Sequence, residues 1–152
     1  MKILFAVNLT EPVDAVHKVE HLCDRLDAEL YVIHVDVPAE ADLSLHDSEG
    51  YDASLFQYEA DNTNAAEEFG LLRKVAFDHF IKTHFTRPVE AMLQESTDPA
   101  STIINGVERL GADILVLTQK PHPFLERLVV GSLPAKLLKL VKVPTLLIPI
   151  LE

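Results

Sequence analysis

Basic residues, cysteine and long apolar runs are scarce in this sequence, and each shortage excludes a class of protein. The 13 lysines and arginines stand against 24 acidic residues, giving a net charge of −11. This balance argues against nucleic acid or an anionic membrane as a partner, because both are bound through basic patches. The single cysteine excludes an intrachain disulfide and a cysteine-based metal cluster, and it favours a reducing, cytoplasmic location. No apolar run approaches the ~20 residues of a transmembrane helix.

The amino terminus also lacks the pattern of a secretion signal. The apolar run in MKILFAV is short, and no small-residue cleavage site follows it. We therefore expect this run to form a buried first strand. With 152 residues and 48% hydrophobic content, the chain has the size and composition of one globular domain, predicted over residues 1–152.

Apolar runs alternate with amphipathic segments along the chain, and this alternation predicts an α/β fold. The predicted strands are residues 2–7, 29–35, 89–93, 114–117 and 144–150. The helices between them are expected to be capped at their N-termini by Thr10, Asn62, Asp98 and Ser132. Gly111 is expected to close the third helix.

Residues 36–61 differ in composition from the rest of the chain. They contain eight acidic residues and no lysine or arginine. Unpaired acidic charge and few apolar anchors leave little burial to offset the entropy of ordering. We interpret this segment as an acidic variable insert and expect it to be mobile.

The stretch from Ala112 to Leu133 carries the most specific pattern in the sequence. It begins with a buried strand, continues through a proline-containing loop, and reaches Gly131-Ser132 at the start of the last helix. Ligands of α/β sheets bind at the carboxyl ends of the strands, and a helix N-terminus offers free N–H groups to an anion. The stretch therefore has the arrangement of a phosphate-binding loop.

This stretch resembles the nucleotide loop of the universal stress protein family, G-x2-G-x9-G-[ST] after a strand of the form D-[LI]-[IL]-V-[ML]. Thr118, Pro121, Gly131 and Ser132 fall on the four motif positions without a gap. Thr118 and Pro121 therefore replace the first two glycines, whereas Gly131-Ser132 is intact. The short sequence His34-Val35-Asp36 also resembles the family's H-V-x-D segment, whose valine backbone meets the adenine.

The resemblance implies a Rossmann-like, doubly wound fold with a five-stranded parallel sheet in the order 3-2-1-4-5 and four helices. The strand order reverses between the first and fourth strands, so ligand-binding residues should gather there. The candidate nucleotide-binding residues are Asn8, Val35, Thr118, Pro121, Gly131, Ser132 and Leu133. The sequence offers no catalytic set and no metal site.

Three departures from the family pattern fall in this one pocket. Pro121 cannot donate an N–H, and Thr118 adds a side chain where the family has none. Asn8 stands where ATP-binding members carry aspartate, so a charge that would help hold a ribose hydroxyl or Mg²⁺ is lost. We therefore expect ATP binding to be weak or absent, and no cofactor is assigned; ATP with Mg²⁺ is the disfavoured alternative.

The resemblance implies a stress-response or regulatory protein without a settled catalytic reaction, acting through an unidentified protein partner. The alternative is an ATP-binding, or ATP-hydrolysing, universal stress protein that uses the altered loop as a nucleotide-dependent switch. A homodimer through the C-terminal strand is also expected, because the apolar run 146–151 would lie at a sheet edge. Pro149 would then have to point its missing N–H away from the partner.

Two further features have simple interpretations. His17, Glu20 and His21 spell H-x-x-E-H, a motif of zinc peptidases. No third ligand is identifiable, so we interpret this motif as part of a solvated helix face. Cys23 falls on the apolar side of the same helix and is expected to be a core residue.

Overall fold

The computed structural model describes residues 1–38, 63–119 and 133–150, which form a parallel sheet between two layers of helices. In chain order the elements are β1 (Lys2–Ala6), α1 (Val13–Leu26), β2 (Glu29–Asp36), α2 (Thr63–His84), β3 (Glu90–Glu95), α3 (Pro99–Leu110), β4 (Ile114–Gln119), α4 (Leu133–Leu140) and β5 (Thr145–Pro149).

The sheet has five strands in the order β3-β2-β1-β4-β5, and every neighbouring pair is parallel. This confirms the predicted fold class and strand order. β1 lies at the centre, where Ile3, Leu4 and Phe5 have no solvent exposure. A strand with helices on both faces must be apolar throughout, and this is why KILFA does not alternate.

The two faces of the sheet carry separate cores. On one face, Phe5 and Val116 pack with residues of α1 and α2, including Val16, Cys23 and Phe80. The opposite core joins Leu4, Ile33 and Leu117 to residues of α3 and α4, among them Ile103, Val107 and Leu137. Helices α1 and α2 therefore cover one face and α3 and α4 the other, and this change of face where the strand order reverses makes the sheet doubly wound.

Helix α3 is fixed by the two caps that its sequence predicts and by its packing on the sheet. The Asp98 carboxylate accepts hydrogen bonds from the Ser101 N–H (3.2 Å) and the Ser101 hydroxyl (2.6 Å), and these bonds lower the pKa of Asp98. Gly111 ends the helix with φ of +62°, the left-handed conformation that glycine adopts most readily. Both predicted caps are confirmed. A Cβ on Gly106 would lie only 3.4 Å from side-chain carbons of the sheet, so the missing side chain lets the helix pack closely.

Helix α1 begins later than predicted, and Thr10 is not its cap. The helix starts at Val13, with Pro12 at the N-cap position and no side-chain cap. Thr10 instead donates its N–H (2.9 Å) and its hydroxyl (2.6 Å) to Asn8 Oδ1. Such local bonds from an asparagine side chain compete with helix initiation, and here they hold the preceding turn.

Helix α2 packs on the sheet through its C-terminal half. Phe77 and Phe80 are buried, whereas Phe69, Leu72 and Val75 are 44%, 62% and 57% exposed. The first half of the helix therefore exposes large apolar side chains, in contrast to its C-terminal half.

Several predictions fall outside the described residues. They include the caps Asn62 and Ser132 and the mobility of the acidic insert beyond residue 38. None of the helices in the described ranges is both long enough and apolar enough to span a membrane.

Candidate functional site

A cavity of about 300 Å³ lies at the carboxyl ends of β1, β2 and β4. The N-terminal turns of α3 and α4 form its other wall, through Pro99, Ile103, Pro134 and Leu137. This is the position where the strand order reverses between β1 and β4, and it is where ligands of open α/β sheets bind. The cavity is therefore the candidate functional site.

Four of the seven residues predicted for the site line this cavity together. Asn8 follows β1, Val35 ends β2, Thr118 lies near the end of β4, and Leu133 begins α4. The remaining three, Pro121, Gly131 and Ser132, lie outside the described residues. The structure thus brings the described candidates to one place, and their role in binding a ligand stays a prediction.

Sequence reasoning missed Glu11, which is the principal polar group of the cavity wall. Its side chain is buried, with 2% exposure. Glu11 Oε1 accepts hydrogen bonds from the Asn8 N–H (2.8 Å) and from the Thr118 hydroxyl (3.0 Å). Glu11 Oε2 is buried and has no hydrogen-bond partner within the described parts of the chain. One carboxylate therefore joins two of the residues that were predicted for the site.

The turn between β1 and α1 directs Glu11 inward. Leu9 adopts φ of +68°, which is an uncommon conformation for a residue with a side chain. Its two neighbours, Asn8 and Thr10, are hydrogen-bonded to each other. Pro12 follows directly and delays the helix to Val13. An acidic residue placed in such a turn is usually taken as solvent-exposed, so the amphipathic pattern carries no signal of its burial.

Thr118 links the end of β4 to the turn after β1. Ala6 of β1 pairs with Leu117 of β4, so the next residue on β4 lies beside the end of β1. From there the Thr118 hydroxyl reaches Glu11 on the cavity wall. The position that the family motif gives to glycine therefore holds a side chain engaged in a part-buried hydrogen bond.

The end of β2 is held by contacts with the end of β1 and with α2. Because a carbonyl oxygen can only accept, His34 donates from Nδ1 to the Val7 carbonyl at 2.8 Å. Its ring stacks on Phe77 with centroids 6.3 Å apart. Asp36 forms an ion pair with Arg73 at 2.8 Å, which ties the strand end to α2. These contacts fix the backbone around Val35, which lines the cavity.

The lining of the cavity is largely apolar and carries little positive charge. Among the described lining residues, Glu11 and His34 are the titratable ones, and no lysine or arginine is present. The arrangement suits a flat apolar ligand better than a phosphate chain, as far as the described wall is concerned.

The H-x-x-E-H motif of α1 has a structural role through its glutamate. His17 and His21 are exposed, but Glu20 is 4% exposed, so the motif is not simply a solvated face. The Glu20 carboxylate accepts bonds of 2.9 Å from both the N–H and the hydroxyl of Thr86, in the turn after α2. No group of three potential metal ligands occurs in the described part of the chain.

Arg87 completes this attachment of the turn to α1. Its guanidinium donates to the Glu20 backbone carbonyl and to the Asp24 carboxylate, each at 2.7 Å. Cys23, on the neighbouring turn of α1, is 1% exposed, and burial is the main cause that raises the pKa of its thiol. Cys23 is therefore a core residue, as predicted.

Comparison with known proteins agrees with the described fold. The sequence model of the universal stress protein family matches residues 1–149. A solved universal stress protein in complex with cAMP is 14% identical, with a TM-score of 0.59 over 98% of this chain and 96% of that one.

Two further structures have the same fold. The universal stress protein from Archaeoglobus fulgidus in complex with dAMP is 13% identical, with a TM-score of 0.55 and 97% of each chain covered. Universal stress protein UspA from Lactobacillus plantarum is 18% identical, with a TM-score of 0.55 and the same coverage. No curated protein sequence gave a match.

Proposed function

The chain belongs to the universal stress protein family, and on this premise we propose that it is a stress-response regulator that binds ATP weakly or not at all. By this proposal the protein is cytoplasmic and acts through contacts with a protein partner. It performs no catalysis and has no bound cofactor. The low cysteine content and the acidic charge support the location and argue against nucleic acid or a membrane as the partner.

The hydrogen bond between Thr118 and Glu11 is the observation that carries this proposal. A glycine at position 118 would leave the backbone open to a phosphate, whereas threonine places a side chain there and directs it to a carboxylate 3.0 Å away. Pro121 removes a further backbone donor from the loop, by its covalent structure alone.

The second candidate function is an ATP-dependent switch. Two relatives were solved with cAMP and with dAMP, and the sequence retains the Gly131-Ser132 pair of the family motif. These facts favour a nucleotide in the crevice. The altered positions 118 and 121 count against tight binding of a triphosphate, since that ligand depends most on backbone donors.

Calorimetric titration of the natural protein with Mg-ATP tests the proposal. We expect a Kd of about 1 mM or weaker, because each lost hydrogen bond to a charged group costs about 1.5–3 kcal/mol. In a parallel thermal-shift assay, ligand at about its Kd would add only about 0.4 kcal/mol of stability. A micromolar Kd would contradict the proposal and support the switch.

We also propose a homodimer formed along the outer edge of β5. Leu146 is 38% exposed on this strand. The N–H of Ile150 bonds to Gln119 on β4, so by alternation the backbone of Pro149 faces the outer edge. The expected orientation of Pro149, with its missing N–H pointing away from a partner at this edge, is therefore not the one observed. The edge pairing would then be confined to Thr145 and Leu147, since proline cannot donate to a partner strand.

Light scattering tests this dimer. At tens of micromolar protein we expect the mass of a dimer, and Leu147→Pro should convert it to a monomer by removing an edge N–H. Leu138→Ala, an exposed change on α4, is the control. A monomeric natural protein would remove the proposal.

A further inference from the structure

We propose that Glu11 is the specificity-determining residue of the cavity, selecting small aromatic ligands that are cationic or uncharged over anionic ones. This inference rests on the proposed function, in which the crevice does not hold a triphosphate tightly. It names a class of ligand and assigns the selection of that ligand to Glu11, which lies outside the family's loop motif.

Glu11 takes the place that an external anion would occupy at this end of the sheet. Backbone N–H groups and hydroxyls at the carboxyl ends of strands form anion-binding positions when they are free. Here the Asn8 N–H and the Thr118 hydroxyl both donate to Glu11 Oε1, at 2.8 and 3.0 Å. The chain thus supplies its own carboxylate to these two donors, and an incoming anion finds them occupied.

The negative charge of the Glu11 carboxylate also acts on any ligand that enters the cavity. Its 2% exposure leaves little water to screen it. The described lining residues include no lysine or arginine that would offset an added negative charge. Like charges brought together in such surroundings weaken binding strongly, so an anionic ligand should bind at least about tenfold more weakly than a neutral ligand of the same shape.

The remaining features of the cavity indicate what does fit. Val35, Ile103 and Leu137 supply apolar walls, and a volume of about 300 Å³ accommodates one aromatic ring system. Glu11 Oε2 has no hydrogen-bond partner within the described ranges. Buried carboxylate oxygens are ordinarily satisfied, so an amidine or amide N–H of a ligand at this wall would supply the missing bond.

A matched series of three probes tests the inference. Benzamidine, benzamide and benzoate share a ring and a planar substituent but are cationic, neutral and anionic. Their affinities can be measured by ligand-observed NMR at about pH 8, where imidazoles are ordinarily neutral. For the natural protein we expect benzamidine to bind at least about tenfold more tightly than benzoate, with benzamide between them.

The variant Glu11→Gln assigns the effect to one side chain. The amide oxygen can still accept from Asn8 and Thr118, but the charge is removed. The difference between benzamidine and benzoate should then fall below about threefold, because the like-charge repulsion has gone. Glu20→Gln is the matched control, since Glu20 is also buried but lies outside the cavity. This variant should leave the order of the three probe affinities unchanged.

The affinities of the three probes decide this inference independently of the Kd measured for Mg-ATP. Benzoate binding as tightly as benzamidine to the natural protein, or a preference unchanged in Glu11→Gln, would overturn it. So would the absence of binding by all three probes at millimolar concentration. Tight Mg-ATP binding by the natural protein would instead refute the proposed function. The order of the three probe affinities is measured on the natural protein itself, so the test stands even if a variant does not fold.

Discussion

Replacing Thr118 and Pro121 by glycine and Asn8 by aspartate is expected to lower the Kd for Mg-ATP at least about a hundredfold. The glycines restore one backbone donor and remove one obstructing side chain, and the aspartate restores a charge near the ribose and Mg²⁺. Two hydrogen bonds to charged groups, at about 1.5–3 kcal/mol each, correspond to a factor of this size or larger. Calorimetry with the natural and triple-variant proteins measures it.

The control for the triple variant keeps the bond between residue 118 and Glu11. Thr118→Ser retains a hydroxyl at the same position, so it should leave the Kd for Mg-ATP unchanged within about threefold. No gain in the triple variant would show that the crevice is blocked by something else. Adding Glu11→Gln to the triple variant then asks whether the buried carboxylate is the obstacle, in which case binding appears only in the fourfold variant.

Replacing Glu20 by alanine is expected to lower the free energy of unfolding by about 3 kcal/mol, since breaking a buried charged network is among the costlier single changes. Glu20 is 4% exposed and accepts two bonds from Thr86. Its removal leaves these donors unpaired and frees the turn that joins α2 to β3. For a domain of this length the melting temperature should fall by about 10 °C.

The neighbouring Asp24 provides the matched control for this second prediction. It pairs with the same Arg87 at 2.7 Å, but its side chain is 63% exposed. Exposed ion pairs contribute little, so Asp24→Ala should cost less than about 1 kcal/mol. Urea unfolding of both variants measures the two free energies of unfolding. Equal losses of stability in the two variants would show that the buried Glu20 does not anchor the turn.

The sequence predicted the features that depend on local patterns. The apolar runs predicted the strands, the resemblance implied their order, and the caps Asp98 and Gly111 followed from residue types that favour those positions. Each of these signals is contained within a few neighbouring residues, or in a motif of fixed spacing. They placed Asn8, Val35 and Thr118 in one crevice, and the described structure has them there.

The buried acidic residues could not be predicted in this way. Glu11 is oriented by a turn at Leu9 and by a hydroxyl 107 positions away, and Glu20 is satisfied by Thr86, 66 positions away. A periodic pattern assigns a glutamate to solvent because most glutamates are exposed, and it has no access to such distant donors. The missed cap at Thr10 has a local cause instead, because its hydroxyl bonds to Asn8, two positions away, and does not cap α1.

Native mass spectrometry of the protein purified without added nucleotide tests the central claim most directly. The claim is that this family member, with Thr118 hydrogen-bonded to Glu11 at the end of β4, does not retain ATP in its crevice. The account predicts the mass of the polypeptide alone in every charge state and oligomer. A species heavier by one ATP per chain, lost on addition of a chelator or on gentle activation, would contradict it.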